Sequence, residues 1–294
     1  MFVSPTNKKF FLKILSFFSL IRGYNVIFII FAQFVSSIFI FSNSSNIYQV
    51  ISDQNIWFII LSTSTSISAG YIINNFYDSD KDLINRPLKT ILENEISGRT
   101  KLFTYITLNV LTILFSLLVS LKALIFFSFY TLGIFIYSIK LSKYLFIGNF
   151  LSTMLVITPF FAITVYYKNF SLEIFTHAIF LFFVILIKEL IKDLENLTGD
   201  FTMNYKTIPV LYGEIWTKRY IILFIVFTIG VSLNLIFNYE IQLMKVYYIF
   251  SIIFLIIFIY FLMKFNSRKY YVLLHNALKI LIITGLFSIT LHGS

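Results

Sequence analysis

The chain has 294 residues, of which 59% are hydrophobic, 20% aromatic and 12% charged, and it carries a formal net charge of +10. Soluble domains run at about 45–50% apolar and about 25% charged, so this composition excludes a soluble globular protein and leaves no room for a sizeable water-exposed domain. There is no Cys, which excludes disulfides and thiolate chemistry.

The first apolar stretch, Phe10 to Ile21, is interrupted by Lys13, and no small-residue cleavage site follows it. The expectation is an interfacial helix within a cytoplasmic segment, residues 1–22, rather than a signal peptide. Nine apolar runs of spanning length then follow. They are predicted at about 23–42, 54–76, 102–121, 123–139, 146–167, 172–191, 220–238, 244–263 and 271–291. The predicted fold is an all-α integral membrane protein, a single domain over residues 1–294 with nine transmembrane helices around a central cavity. Two connections are long and rich in charge, at about 77–101 and 192–219.

Lys and Arg are retained on the cytoplasmic side of a membrane. With the N-terminus inside, 19 of the 23 basic residues fall on the inner side. Only Lys122, Lys168 and Lys245 fall outside, and Lys279 lies within the last span. The split predicts a multi-pass cell (inner) membrane protein with its N-terminus cytoplasmic and its C-terminus outside. It also accounts for most of the net charge without a nucleic-acid partner. Of the 13 acids, 10 lie on the same inner side. Topology does not require that, because Asp and Glu contribute little to orientation. An excess of both signs on one face therefore points to a polar active site on the cytoplasmic side.

The first acidic cluster ends the second span. Asn74, Asp78 and Asp82 are spaced by four, so a helix brings their oxygens onto one face. Hard oxygen ligands at this spacing suit Mg²⁺ carrying a phosphorylated substrate. The second cluster ends the sixth span. Lys188, Lys192 and Asn196 share a spacing of four, Asp193 precedes Asn196 by one turn, and Asp200 follows. Gly199 is the expected helix stop. Two clusters at equivalent ends of two helices can face each other across a cavity and hold a diphosphate between metal ions. Arg86, Lys140, Lys143, Lys188 and Lys192 are then candidates to neutralise the remaining phosphate charge, although Lys140, Lys143, Lys188 and Lys192 also read simply as topology signals. The three His, at 177, 275 and 292, are scattered and predict no metal-ligand pair. His275 and Lys279, one turn apart, read as a polar pair on one helix.

At these residues the chain resembles the UbiA-type intramembrane prenyltransferases, which have nine transmembrane helices and two aspartate-rich motifs. Asn74, Asp78 and Asp82 match the family's first motif fully, and Ile84-Asn85-Arg86-Pro87 looks like its continuation. In the second motif, Asp-x-x-x-Asp, Asn196 stands at the first position and Asp200 at the second. Arg22 and Asn25 in the first span, Tyr137-Ser138 with Lys140, Gly148-Asn149 and Thr207-Ile208-Pro209 are similar to the family's context. The departures are the uncharged Asn196, for which Asp193 or Glu195 is the expected compensation, and Lys89-Thr90 in place of a second basic-Pro pair.

The resemblance implies a Mg²⁺-dependent enzyme that transfers a prenyl group from an allylic diphosphate to a membrane-associated acceptor. Asp78, Asp82 and Asp200 are its expected catalytic residues, and Asn74, Asp193 and Asn196 complete the metal ligands. Arg22, Asn25, Arg86, Lys140, Lys143, Lys188 and Lys192 are the expected diphosphate-binding residues. The wording of both motifs most resembles members that make geranylgeranylglyceryl phosphate ethers, with an aromatic quinone precursor as the alternative acceptor. No obligate protein partner is implied; the partners are the two substrates and the lipid bilayer. The non-enzyme alternative is a secondary transporter. That class places its binding groups near the bilayer midplane on broken helices, whereas these acids sit at span ends.

Overall fold

The computed structural model describes residues 5–42 and 47–292, with side chains from residue 11 onward. Among them there is no strand. The helices are α1 (Pro5–Leu20), α2 (Gly23–Ser36), α3 (Ile47–Ser52), α4 (Gln54–Asn85), α5 (Pro87–Asn94), α6 (Gly98–Val119), α7 (Leu121–Ile139), α8 (Ile147–Tyr167), α9 (Leu172–Glu195), α10 (Leu197–Thr202), α11 (Ile208–Asn238), α12 (Lys245–Lys264) and α13 (Arg268–Ser288). Among the described residues nine helical stretches are long and apolar enough to cross a membrane, the first being α2 continued through a π-helical turn to Phe41. They fall where the nine apolar runs were predicted, with α1 as a shorter apolar helix ahead of them.

Three boundaries differ from expectation. The second span runs to Asn85 rather than ending near 76, so residues 77–85 are helix and not loop. The sixth continues to Glu195, and the seventh is preceded by a short helical turn from Ile208 and resumes directly after a break at Gly213, ahead of 220. In each case hydropathy falls before the helix does, because a helix end that carries polar side chains keeps its backbone hydrogen bonds.

The chain divides into two compact units. The first runs from the start of α1 to Gln33 and over Asp53–Lys140. Its axis is α4, packed along α6 and α7, with α5 against α4 and α1 against α5. The side chain of Asp53 caps α4 by accepting from the Asn55 amide at 3.0 Å. Such a cap satisfies one of the orphan amides of a helix start. Ser97 and Ser120 cap α6 and α7 in the same way. The buried face of α4 is a stripe of Ile56, Ile59, Ile60, Ser62, Thr63, Ser66, Ile67, Ala69, Ile72 and Ile73. Its small polar members bond their own backbone or a neighbouring helix, as where Ser62 Oγ donates to the Thr112 carbonyl of α6 at 3.5 Å. Gly70 lets α7 come close, since a Cβ there would stand 2.8 Å from Ile134 Cγ2. The helix ends at Arg86 because Pro87 disfavours helical geometry in the residue before it. Arg86 is extended (φ −141°, ψ 60°), and Pro87 opens α5.

The second unit comprises Phe34–Ser52 and the chain from Leu141 onward. Its axis is α9, which packs against α11, α13 and α8, while α12 packs on α11 and α13. Val184, Ile187, Leu190, Ile191 and Leu194 of α9 form the core with Ile208, Ile221 and Ile225 of α11 and Leu274, Leu278 and Leu281 of α13. Within α11, Gly213 adopts φ +80°, ψ 172°, and breaks the helix between the Pro209 turn and the long apolar run. Only glycine enters that region without strain.

Candidate active site

The first acidic cluster is held on the last turns of α4. Asp78 is buried and accepts a hydrogen bond from Asn74 Nδ2 at 3.0 Å, one turn back on the same face. Lys81 Nζ lies 3.5 Å from Asp78 Oδ2. Asp82, a turn further on, is half-buried. The predicted triplet therefore shares one helix face. The structure adds cations around it that come from elsewhere in the unit. Arg22, in the junction between α1 and α2 at φ 48°, lays its guanidinium over the Tyr71 ring at 4.8 Å. Asn25 Nδ2 donates to the Tyr71 hydroxyl at 3.2 Å. Arg22 is partly desolvated, but the field of Tyr71, Asp82, Tyr24 and Glu93 more than offsets that and raises its proton affinity above the ordinary value. Lys89 on α5 is the opposite case. Burial, and then the like charge of Arg22, lower its pKa to about 8 despite Glu93 and Asp82.

Behind this cluster lies a polar network that the sequence reading did not find. The buried Glu93 of α5 accepts from Ser19 Oγ at 3.1 Å and from Asn75 Nδ2 at 3.0 Å, and pairs with Lys89 at 3.3 Å. Asn75 Oδ1 in turn accepts from Lys101 Nζ at 2.7 Å, and Lys101 also reaches Asn94 Oδ1 at 3.2 Å. These bonds tie α1, α5 and α6 to the residue next to Asn74. Asn75 sits inside the motif yet points away from its metal-ligand face, and Lys101 was legible only as a topology signal. Arg86 joins α4 to α5 through its backbone, with its amide donating to the Asp82 carbonyl at 2.7 Å. Lys140 is exposed at the end of α7.

In the second unit the chain turns at Asn196, not at the predicted Gly199. Asn196 (φ −100°, ψ 8°) ends α9 and precedes α10, and Gly199 lies inside α10. The turn leaves Asp193 and Asp200 within electrostatic reach of each other. Asp193 Oδ2 accepts from Asn149 Nδ2 of α8 at 2.7 Å. Asn196 and Asp200 are buried, and Asn196 Oδ1 accepts no hydrogen bond. A buried amide oxygen without a donor, beside two carboxylates, is a donor set that a hard cation satisfies. Asp193 is the acid on this side of the turn. Glu195 is engaged elsewhere, its Oε2 lying 2.6 Å from His275 Nδ1 and its carbonyl accepting from Arg268 Nε at 3.1 Å.

The two predicted phosphate-binding lysines share a partner that was not expected. Lys188 Nζ and Lys192 Nζ stand 3.1 and 2.9 Å from the carboxylate of buried Glu189. Lys143 lies over the Tyr205 ring at 5.2 Å, and its carbonyl accepts the Lys206 amide at 3.0 Å. Thr207-Ile208-Pro209 opens α11. His275 reaches across to α9 and pairs with Glu195, while Lys279, within electrostatic reach of His275, donates to Asn276 Oδ1 at 3.1 Å. The other two His are not scattered. His177 and His292 come together around Glu173.

Comparison with known proteins bears on the whole assembly. Residues 26–282 match the model of the UbiA prenyltransferase family. A digeranylgeranylglyceryl phosphate synthase of Methanosphaera stadtmanae is 32% identical over 191 residues, which is 65% of this chain and 66% of that protein. The chain thus spans about two-thirds of that relative's length. A solved structure described as giving insight into digeranylgeranylglyceryl phosphate synthase in membranes is similar in fold, with a TM-score of 0.70 at 22% identity over 95% of this chain and 98% of its own. A UbiA homologue from Archaeoglobus fulgidus, solved with GPP and Mg²⁺, gives a TM-score of 0.68 at 15% identity, covering 94% of this chain and 99% of its own.

Proposed function

The chain belongs to the UbiA prenyltransferase family, and we propose that it transfers a geranylgeranyl group from its allylic diphosphate to a prenylated glyceryl phosphate in the membrane. The observation that carries the reading is the Asn74, Asp78 and Asp82 face at the end of α4, ringed by Arg22, Lys81 and Lys89. A row of carboxylates next to a set of cations is suited to a metal-bound polyanion, with the acids on the metal and the cations on the phosphate oxygens. The names of the curated relatives supply the acceptor class. The solved homologue with GPP and Mg²⁺ supports the donor class and the metal.

In this reading Asp78, Asp82 and Asn74 would hold Mg²⁺ in the first unit, and Asp193, Asn196 and Asp200 would do so in the second. Mg²⁺ bound there would supply positive charge that stabilises a leaving diphosphate. Arg22, Arg86 and Lys89 neutralise phosphate oxygens, with Lys140, Lys143, Lys188 and Lys192 as further cations, and Asn25 holds Tyr71 beneath Arg22. The allylic C–O bond breaks and the diphosphate leaves. The acceptor's hydroxyl oxygen bonds the allylic carbon, and its proton passes to the released diphosphate or to water. The chain acts in a cell membrane, with the N-terminus and the acid cluster of each unit on the cytoplasmic side and the C-terminus outside.

The test is product mass analysis of membranes containing the protein, supplied with Mg²⁺ and geranylgeranyl diphosphate. Offered geranylgeranylglyceryl phosphate, 4-hydroxybenzoate or dihydroxynaphthoate, it should yield only the diether phosphate. A prenylated aromatic product would overturn the acceptor. Absence of diphosphate release from any allylic donor would overturn the enzyme reading itself.

A further inference from the structure

The far end of α9 carries a second, chemically different cluster. Glu173 and His177 are spaced by four on the first turns of the helix and so share a face. His292, which follows the last helical turn after α13, closes on them with its Nε2 2.7 Å from Glu173 Oε1. His177 Nε2 lies 3.7 Å from that same oxygen. The three ligand atoms all stand within 4.8 Å of one another. None of these residues belongs to the acid clusters: sixteen positions separate His177 from Asp193, about 24 Å along a helix.

Two details make this more than a chance meeting of side chains. First, the His177 ring is oriented from behind. Its Nδ1 is 2.5 Å from the hydroxyl of the fully buried Tyr248 on α12. A metal-bound histidine characteristically gives its other ring nitrogen to such a partner, which sets the tautomer and aims the free nitrogen. Second, the aimed nitrogen makes no close hydrogen bond, its polar neighbour Glu173 Oε1 standing at 3.7 Å. His177 Nε2 is buried and has no hydrogen-bond partner. In the tautomer that donates Nδ1–H to the Tyr248 hydroxyl, Nε2 presents a lone pair toward the carboxylate oxygen. Two imidazole nitrogens gathered around one carboxylate oxygen are a ligand set that a divalent cation can take up.

We propose that Glu173, His177 and His292 form a zinc site that fastens the chain after α13 to the start of α9. A tetrahedral Zn²⁺ with bonds of about 2.0–2.1 Å places its ligand atoms about 3.3–3.4 Å apart. The observed separations of 2.7 and 3.7 Å bracket that value. Two imidazoles and one carboxylate select Zn²⁺ over Mg²⁺, which prefers oxygen ligands alone. The two metal requirements are therefore separable by chemistry as well as by place. Tyr248 brings α12 into the same joint, so the metal links three elements of the second unit. The inference does not depend on the prenyl-transfer reading.

The experiment uses the purified full chain, stripped with a chelator and then exposed to Zn²⁺ with Mg²⁺ in large excess, so that the oxygen-ligand clusters are occupied by Mg²⁺. One zinc per chain should survive desalting, and the thermal midpoint should rise on zinc addition. His177→Ala and His292→Ala should each weaken zinc retention about 100-fold or more and abolish the midpoint shift. His292 lies outside the helical core, so far-ultraviolet circular dichroism of His292→Ala should match that of the parent chain. Asp78→Ala should retain zinc as the parent does. Failure of the parent chain to hold zinc in excess Mg²⁺ would overturn the site. So would undiminished zinc in His292→Ala, or loss of zinc in Asp78→Ala.

Discussion

The acid cluster on α4 and the one around Asn196 are built in opposite ways. The first is local: Asn74, Asp78 and Asp82 lie on one uninterrupted helix, and helical spacing alone puts them on one face. The second is assembled. Asp193 ends one helix, Asp200 sits in the next, Asn196 makes the corner, and Asn149 arrives from α8 to hold Asp193. A local cluster depends on its backbone, whereas an assembled one depends on packing. The first should be sensitive chiefly to loss of its own carboxylates, and the second to loss of the groups that orient it.

The largest expected effect is on the local cluster. Asp78→Ala and Asp82→Ala should each lower turnover by about 10²–10³-fold or more, the scale of removing one preorganised electrostatic group. Steady-state release of diphosphate measures it, and near-normal turnover in either variant would remove α4 from the chemistry. Next comes the assembled cluster's support. Asn149→Ala leaves every acid in place but frees Asp193, and should cost about 10–100-fold in activity or in apparent Mg²⁺ affinity. If Mg²⁺ titration of this variant matches the parent, Asn149 does not orient a ligand.

A smaller effect is set by pH. Lys89, faced by Arg22, Glu93 and Asp82, has its pKa lowered to about 8. Its charge is present below that value and lost as pH rises through it, so attraction of a diphosphate weakens with rising pH. The free-enzyme profile of kcat/KM should fall about tenfold between pH 7 and pH 9, and Lys89→Arg should flatten it. A profile that the substitution leaves unchanged would assign the loss to another group. The smallest effect belongs to the corner itself. Asn196→Asp restores a carboxylate at a buried oxygen with no donor, and activity should stay equal or rise a few-fold. A severe loss would show that the amide has a role of its own.

The same contrast explains what the sequence made legible. The nine spans were readable because a continuous apolar run of spanning length has few other fates. The α4 triplet was readable because its geometry is a matter of spacing. The ends of α4, α9 and α11 were not, since a helix that leaves the apolar layer keeps its hydrogen bonds while its hydropathy changes. Glu93, Asn75 and Lys101 went unseen as a network because each partner lies on a different helix. Glu189 hid between the two lysines it binds, where charge counting saw only cations. His177 and His292 are 115 positions apart in the chain, and only tertiary packing joins them. Tyr71 carries no signal in sequence, yet it is the surface on which Arg22 rests.

One consequence of the length of α4 concerns register. Its 32 residues extend about 48 Å, against a hydrocarbon layer of about 30 Å, so the last turns that carry Asn74, Asp78 and Asp82 form a rigid spur continuous with the anchored part of the rod. The heading and the height of the triplet are then two separate variables, both set by counting residues. One residue inserted near Ile67 would swing the triplet through about 100° and lift it about 1.5 Å, while four would restore its heading to within about 40° and lift it about 6 Å. Under the proposed function, the length of the helix would set how far from the lipid the scissile bond is presented.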